Sequence, residues 1–377
     1  RPLTCGAHGM RISNTTRLSH PHIQLVGRAS LLVLMMLVFA NLVLWVGYRL
    51  SVDNMKEVWR DLTDLSADST LYTLEQRRND LRADVKLLAS NPDLIRAILY
   101  YDELVLNRIA ADWELFVSEK RLYDHIRLID LSGKERLRVD LTSHGASRVS
   151  TDQLQNKSHR YYIQQGMAMD AGAIYASPID LNVEQGKVEI PYKPMVRLVT
   201  PLDVDGEIKA LLVVNALVSH IFGDLQRHAS LVHGGLLLLD ESGNYLHGFS
   251  SHQEWQFMFP ESSSETRQFN ENYPDVWAMM QRTPSGQINR PEGIFSYRTV
   301  TYGAVGFTHS YRLVVVMTEE QQQALLLPQR NLWLFIALVL TLLLVFAVVI
   351  LGRYRLGQLQ AKPVVNRRPV DLWHLFR

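Results

Sequence analysis

The sequence predicts an α+β protein with a long N-terminal helix and two antiparallel-sheet α/β units, flanked by two transmembrane helices. Three observations lead to this prediction. Long apolar runs lie near both ends of the 377 residues, a helical period follows the first run, and one hairpin pattern occurs twice. A helix of about twenty apolar residues is long enough to cross the hydrocarbon core of a bilayer.

The apolar runs predict spanning helices at residues 29–50 and 331–352. Asn41 is the only strongly polar residue between Ala29 and Tyr48, and Thr341 is the only polar residue between Leu332 and Gly352. The basic residues near the outer ends of the runs are Arg11, Arg17, Arg28, Arg353, Arg355, Lys362, Arg367 and Arg368. This bias predicts that both termini are cytoplasmic, as a leader at 1–28 and a short tail at 353–377, and that the segment between the spans lies outside.

The first run allows two interpretations, an uncleaved anchor or a signal peptide. An anchor is favoured, because the run is longer than a typical signal core and no Ala-x-Ala-type cleavage site follows it. Residues 1–9 precede the first methionine, Met10, and fit a tag remnant or upstream translation, so they are left out of the fold prediction.

Cysteine and charge exclude several classes of function. Cys5 is the only cysteine and lies in the excluded leader, so the outer segment is expected to have neither a disulfide nor a cysteine metal site. The net charge is +1 and no basic block lies between the spans. Nucleic acid is therefore not expected as a partner.

A long helix is predicted directly after the first span. Apolar residues recur at helical spacing until Asn91-Pro92 ends the pattern, which gives a helix of about forty residues. A helix of that length implies either a coiled-coil partner or a domain packed along its side. Shorter helical patterns follow at residues 94–101 and 109–122.

A hairpin pattern occurs twice after these helices. An apolar run ends in Asp130-Leu-Ser-Gly133 and continues into a second strand, and the same order surrounds Asp240-Glu-Ser-Gly243. Each copy is followed by a later strand pair. These pairs are predicted at residues 193–201 with 207–216, and at residues 293–301 with 309–317. The repeat predicts a membrane-distal unit at 51–230, which includes the long helix, and a membrane-proximal unit at 231–328.

No catalytic constellation is recognisable in the sequence. The 13 histidines are scattered without metal-ligand spacing, and neither a Gly-x-Ser-x-Gly elbow nor a Gly-rich phosphate loop occurs. A kinase phospho-acceptor domain and a Gly-Gly-Asp-Glu-Phe-type cyclase motif are also missing from these residues. The sequence therefore predicts a chain that is not an enzyme and that has no cofactor, no metal site and no catalytic residues.

Three stretches of the first unit resemble a known family. They are Arg160-Tyr-Tyr162, Ser177-Pro-Ile-Asp180-Leu-Asn182 and Arg197-Leu-Val-Thr-Pro201. They are similar to double-Cache domains, the PAS-like extracytoplasmic sensors of bacterial histidine kinases, diguanylate cyclases and chemoreceptors. The resemblance covers residues 51–320.

The resemblance implies a two-pass receptor in the bacterial inner membrane, with a periplasmic central domain and both termini cytoplasmic. It implies a homodimer that binds a small-molecule ligand. The output, a histidine kinase or diguanylate cyclase, is expected beyond residue 377 or in a separate protein.

The resemblance also implies a ligand pocket in the membrane-distal unit. Amino-acid-binding members carry an Arg-x-aromatic-aromatic motif and a later Asp that holds the ligand ammonium. Arg160 and Tyr162 match the first and third motif positions, whereas Ile163 and Asn215 occupy the fourth position and the Asp position. A neutral amide cannot supply the charge that pairs with an ammonium, so a carboxylate, a dicarboxylate or another small polar ligand is favoured.

Two arginines of this predicted site have alternative roles. The planar guanidinium of Arg160 can clamp a ligand carboxylate, or it can cap a loop or pair with Asp152 at the surface. Arg197 lies in a predicted strand and faces either the pocket or a salt-bridge partner, Glu189 or Asp180.

The other predicted site residues are open to similar alternatives. Tyr162 and Tyr175 either line the pocket or belong to the core, and Asp180 either contacts the ligand or shapes a turn after Pro178. A rival function is a polysaccharide chain-length regulator, which also places a domain between two spans. Such proteins have long central helices and a second span rich in Pro and Gly, so this sequence favours the receptor. An accessory subunit of another membrane protein is a third possibility.

Overall fold

The computed structural model describes residues 20–100, 102–184, 186–230, 234–259, 268–304 and 307–360. One compact unit is formed by Lys56–Gln323, and the chain before and after it forms the other. Most of the predicted leader and tail, at residues 1–19 and 361–377, lies outside the described residues.

The first three described helices and the last one match predicted helices, whereas the four between them were not predicted. The described helices are α1 (His20–Ala89), α2 (Pro92–Tyr100), α3 (Glu103–Lys120), α4 (Tyr161–Met167), α5 (Ser219–Ser230), α6 (Phe269–Asn272), α7 (Pro274–Met280) and α8 (Glu319–Gln360). Helix α1 is continuous from the first apolar run into the amphipathic stretch, as predicted. It ends just before Asn91, whose side chain accepts a hydrogen bond from the backbone nitrogen of Asp93 and so caps α2.

Helices α1 and α8 contain the two predicted spans. The apolar windows of both helices have the length and composition to cross a membrane, and neither is buried inside the protein. Asn41 Nδ2 donates to the carbonyl of Leu37 at 2.9 Å and lies 3.4 Å from Thr341 Oγ1. The polar residues that stand out in the two runs therefore meet each other, which reduces the cost of placing them in hydrocarbon.

The strands form two antiparallel sheets and one small ribbon. The described strands are β1 (Tyr123–Asp130), β2 (Glu135–Thr142), β3 (Gly145–Arg148), β4 (Tyr175–Ala176), β5 (Asp180–Leu181), β6 (Val183–Glu184), β7 (Lys187–Val188), β8 (Pro194–Val204), β9 (Glu207–Leu217), β10 (Gly235–Leu239), β11 (Tyr245–His247), β12 (Ser285–Arg290), β13 (Gly293–Ala304) and β14 (Phe307–Thr318).

Both sheets have the same topology. The seven-stranded first sheet has the order β3-β2-β1-β9-β8-β4, with β5 also paired to β8, and the second sheet has the order β11-β10-β14-β13-β12. In the first sheet, β1 of the opening hairpin pairs with β9, and β9 pairs with β8. In the second sheet, β10 pairs with β14, and β14 pairs with β13. The shared order confirms the predicted repeat. The exact boundaries of the two units, residues 51–230 and 231–328, stay a prediction.

The two opening hairpins turn in the same way. Oδ1 of Asp130 and Oδ1 of Asp240 each accept hydrogen bonds from the backbone nitrogens two and four residues later. Gly133 and Gly243 have φ angles of 81° and 84°. Glycine takes this left-handed conformation without a steric penalty, which explains the Ser-Gly step in both copies.

Replacing Gly133 with alanine is expected to lower the free energy of unfolding by about 3 kcal/mol, because backbone strain and overpacking add. An added Cβ would lie only 2.5 Å from Cα of Ser158. Gly206→Ala is the control, since Gly206 has a similar φ of 83° but open space around it. Urea unfolding of the soluble segment 51–328 measures the free energy of unfolding of both variants. Equal losses in Gly133→Ala and Gly206→Ala would show that the contact with Ser158 does not contribute.

The two faces of the first sheet pack against different clusters of apolar side chains. Side chains alternate across a strand, so Ile126 and Leu128 of β1 pack in the core formed with α1, α2 and α3, where Trp113 is also buried. Ile129 belongs to a separate cluster on the opposite face, together with Tyr162. This opposite face carries the predicted site.

Candidate ligand-binding site

Arg160 lies at the N-terminus of α4, and its side chain is partly buried. Its backbone is extended and its side chain makes no cap hydrogen bond to the helix. The Nε atom is buried and has no hydrogen-bond partner among the described residues. Its guanidinium carbon lies 5.8 Å from the centre of the Tyr162 ring. Arg160 therefore keeps hydrogen-bonding capacity for another group, as the anion-clamp interpretation requires.

Tyr162 contacts two arginines at once. Its ring is 2% exposed, and the guanidinium carbon of Arg197 lies 5.3 Å from the ring centre. The ring of Tyr161 meets it edge-on at 5.6 Å between centres. A tyrosine ring face attracts cations, so Tyr162 favours the placement of the Arg160 and Arg197 guanidinium groups near its ring.

Arg197 is fully buried and forms an ion pair. It is 1% exposed, and its Nη1 lies 2.5 Å from Oδ1 of Asp180, one of the two salt-bridge partners that the sequence suggested. Burial lowers the pKa of Arg197, but the charge and hydrogen bond of Asp180, together with Tyr161 and Tyr162, raise the pKa above its usual value. The backbone is fixed as well, because Arg197 N donates to Oγ of Ser177 at 2.9 Å.

Two tyrosines surround the Asp180 carboxylate. Tyr161 donates from its hydroxyl to Oδ2 of Asp180 at 3.1 Å, at the solvent side of the cluster. Tyr175 is 3% exposed. Burial, and then the charge of Asp180, raises the pKa of both phenols. Both phenols thus stay protonated at neutral pH and are able to donate hydrogen bonds.

Asn215 of β9 lies in the middle of the sheet. It pairs in register with Arg197 on β8 and with His125 on β1. Its Nδ2 lies 3.4 Å from Sδ of Met195, whereas its buried Oδ1 has no partner among the described residues. A buried carbonyl without a partner is costly, so Asn215 is able to accept a hydrogen bond from a bound molecule.

A network of charged and polar side chains surrounds His125, the residue that pairs with Asn215 in the neighbouring strand. His125 lies 2.8 Å from carboxylate oxygens of both Asp124 and Asp140, and Arg138 meets Asp140 with two bonds of 2.6 Å. Burial alone would raise the pKa of each aspartate, but hydrogen bonds from His125 and the neighbouring cations lower both pKa values. Lys193 completes the network at 3.1 Å from Asp124.

The structure brings the predicted site residues together on one face of the first sheet. Tyr162 and Tyr175 belong to a single apolar cluster there, and Arg160, Asp180, Arg197 and Asn215 surround it. Tyr161 and the network around His125 were not predicted. The network could have been suspected from β1, in which His125 and Arg127 alternate with apolar residues and therefore share one face of the strand. The roles of all these side chains as ligand contacts stay a prediction.

Within the described parts of the chain, no group of three or more His, Cys, Asp or Glu side chains is placed to hold a metal ion.

Comparison with known families gives a direct assignment. Residues 70–315 match the family model described as the sensor domain of bacterial histidine kinases. The chain belongs to this family. The match covers both sheets, and it confirms the resemblance to double-Cache sensors. The family is the sensory part of bacterial histidine kinases.

Two solved structures share the fold of this sensor domain. The extracellular domain of the histidine kinase vpHK1S-Z8 has a TM-score of 0.63 and 19% identity, over 72% of this chain and 98% of that one. A domain of a sensory box/GGDEF family protein from Vibrio parahaemolyticus has a TM-score of 0.60 and 20% identity, over 70% and 99%. A comparison with curated proteins found no match. The chain thus contains a sensor domain of this family, with one apolar helix on each side of it.

Proposed function

We propose that this chain is a transmembrane receptor whose first sheet unit binds a small anionic or polar molecule. Binding is signalled through the second unit and the spans to a cytoplasmic histidine kinase or diguanylate cyclase. The observation that carries the proposal is the guanidinium of Arg160, half-buried beside Tyr162 with a buried Nε that lacks a partner.

Charge at the site favours an anion. Arg197 is neutralised by Asp180, whereas Arg160 forms no ion pair with any described residue. A ligand carboxylate presents two acceptors to a guanidinium in parallel, which is the strongest geometry for this contact. A hydroxyl or N–H group on the same ligand would satisfy Oδ1 of Asn215. The site therefore suits a small carboxylate that also carries a hydrogen-bond donor.

A thermal-shift screen tests the ligand site. The soluble segment 51–328 is screened against organic acids, amino acids, amines and purines. A carboxylate is expected to raise the melting temperature, and Arg160→Ala is expected to remove this shift because the clamp is lost. Arg96→Ala, on an exposed part of α2, is the matched control and should keep the shift. A shift that survives in Arg160→Ala would refute the clamp.

A homodimer is part of the proposal. Four large apolar side chains on α1 are exposed, and the successive spacings between them are four, three and seven residues. They are Val58, Leu62, Leu65 and Tyr72. This spacing is that of a coiled-coil seam, and other faces of α1 pack against the chain's own sheets. The stripes of two copies of α1 would pack against each other in a symmetric pair. A bound ligand would then favour one arrangement of these two helices over another.

The proposed topology places the sensor in the periplasm of a bacterial inner membrane, with both termini cytoplasmic. Arginines beyond the outer ends of the spans support this orientation. Alkaline phosphatase is active only outside the cytoplasm, so a fusion at residue 230 should be active and one at residue 377 inactive. The sensor family favours this receptor over the chain-length regulator.

A further inference from the structure

A cavity lies on the face of the first sheet opposite to the Arg160 site. Its volume is about 70 Å³, and it is lined by α1, α5, the first sheet and the second sheet. Val196 and Leu198 of β8 form part of its wall and alternate with Arg197, which points to the other face. The cavity is therefore a separate site from the one that the proposed function uses.

The cavity wall is almost entirely apolar. Its two polar side chains from the second sheet, Tyr302 and Tyr311, already have partners. The Tyr302 hydroxyl donates to the carbonyl of Ser177 at 3.0 Å, and the Tyr311 hydroxyl accepts from the backbone nitrogen of Ile179 at 3.0 Å. Because both hydroxyls are occupied, the interior is suited to a hydrocarbon group and offers little to a polar one.

The rim of the cavity is positively charged. Arg78 and Arg82 of α1 lie one helical turn apart and both line it, together with Glu75. Neither arginine forms an ion pair with any residue that the structure describes, and Arg78 only donates to the carbonyl of Thr301 at 3.4 Å. Two guanidinium groups and one carboxylate leave an excess of one positive charge beside an apolar interior.

We propose that this cavity binds a short-chain carboxylate, with the hydrocarbon tail inside and the carboxylate at Arg78 and Arg82. The charge of the rim selects the anionic head group, and the apolar wall selects the tail. An engineered cavity of about 150 Å³ holds benzene, so a cavity of this size accommodates about three carbon atoms. Butyrate, with three carbons beyond its carboxylate, is the matching probe.

The binding test uses the full chain in lipid nanodiscs and butyrate as the probe, with ligand-observed saturation-transfer NMR and a titration. Butyrate is expected to bind, and 1-butanol and butylamine, with similar tails, are expected to bind at least about tenfold more weakly. Arg82→Gln should weaken butyrate binding about tenfold, since it removes one charge from the rim. Arg96→Gln, outside the cavity, is the matched control and should bind butyrate like the unmodified chain.

A filling variant tests the position of the tail. Ala176 is buried and lines the cavity, so Ala176→Leu places three more carbon atoms inside it and should abolish butyrate binding. Thermal unfolding shows whether this variant is folded. If Ala176→Leu is unfolded, Arg82→Gln tests the cavity instead, because Arg82 is partly exposed and its replacement should not disturb folding.

Three outcomes would overturn the proposal. The first is no butyrate binding at millimolar concentration, and the second is binding that Arg82→Gln leaves unchanged. The third is binding that Arg160→Ala removes while Arg82→Gln retains it, which would place butyrate in the first site. Failure of the Arg160 site in the ligand screen would leave the cavity proposal unaffected.

Discussion

Replacing Glu135 with alanine is expected to lower the free energy of unfolding of the sensor domain by about 3–5 kcal/mol. Oε1 of Glu135 lies 2.9 Å from Nε of Arg127, and the two side chains are 0% and 1% exposed. Arginine does not lose its proton in proteins, so the variant leaves a buried charge without this carboxylate. Urea unfolding of the soluble segment 51–328 measures the loss.

Two controls separate burial from charge pairing. Lys209→Ala removes the ion pair of Lys209 with Glu207, whose side chain is 76% exposed, and should cost less than about 1 kcal/mol. The double variant Arg127→Met with Glu135→Leu removes both charges and should recover most of the loss, because neither charge of the pair stays buried. A loss under about 1 kcal/mol in Glu135→Ala would contradict the structural role of this pair.

Replacing Leu65 with glutamate is expected to weaken self-association of the full chain by at least about 30-fold, or about 2 kcal/mol. Leu65 is 65% exposed in the middle of the apolar stripe of α1. In a symmetric pair of helices the two glutamates would lie close together, where they repel each other and lose apolar contact. Sedimentation of the chain in detergent, over a range of concentrations, measures the change.

Leu115→Glu is the matched control for this prediction. Leu115 is 64% exposed on α3 and lies outside the stripe, so the same substitution at the same exposure should leave self-association unchanged. If both variants dissociate equally, or if neither does, the α1 stripe is not the dimer interface.

Most of the regular elements could be predicted because their signals are local. The apolar runs, the helical period of α1 and the two Asp-x-Ser-Gly hairpins all depend on residues that are neighbours in sequence. Strand β12 (Ser285–Arg290) was missed because it is mostly polar and has no apolar period. It forms because all six of its residues pair in register with β13, and backbone pairing does not depend on the type of side chain.

The candidate site was predicted less completely. Arg160 and Tyr162 were found through a short motif, whereas Tyr161 of the same motif was not singled out, although its hydroxyl holds Asp180. Nothing local indicates that His125 lies between two carboxylates. One of these, Asp140, arrives from β2 through the register of the hairpin.

The two apolar helices, the long helix, the repeated hairpin and the resemblance to a sensor domain are recognisable in the sequence alone, because composition, period and motif are local properties. Which side chains share a face depends on the tertiary structure. It pairs Arg197 with Asp180, leaves Arg160 without an ion pair among the described residues, and encloses an apolar cavity beneath Arg78 and Arg82. Strand order and register bring these distant residues together, and no local pattern in a single sequence records them.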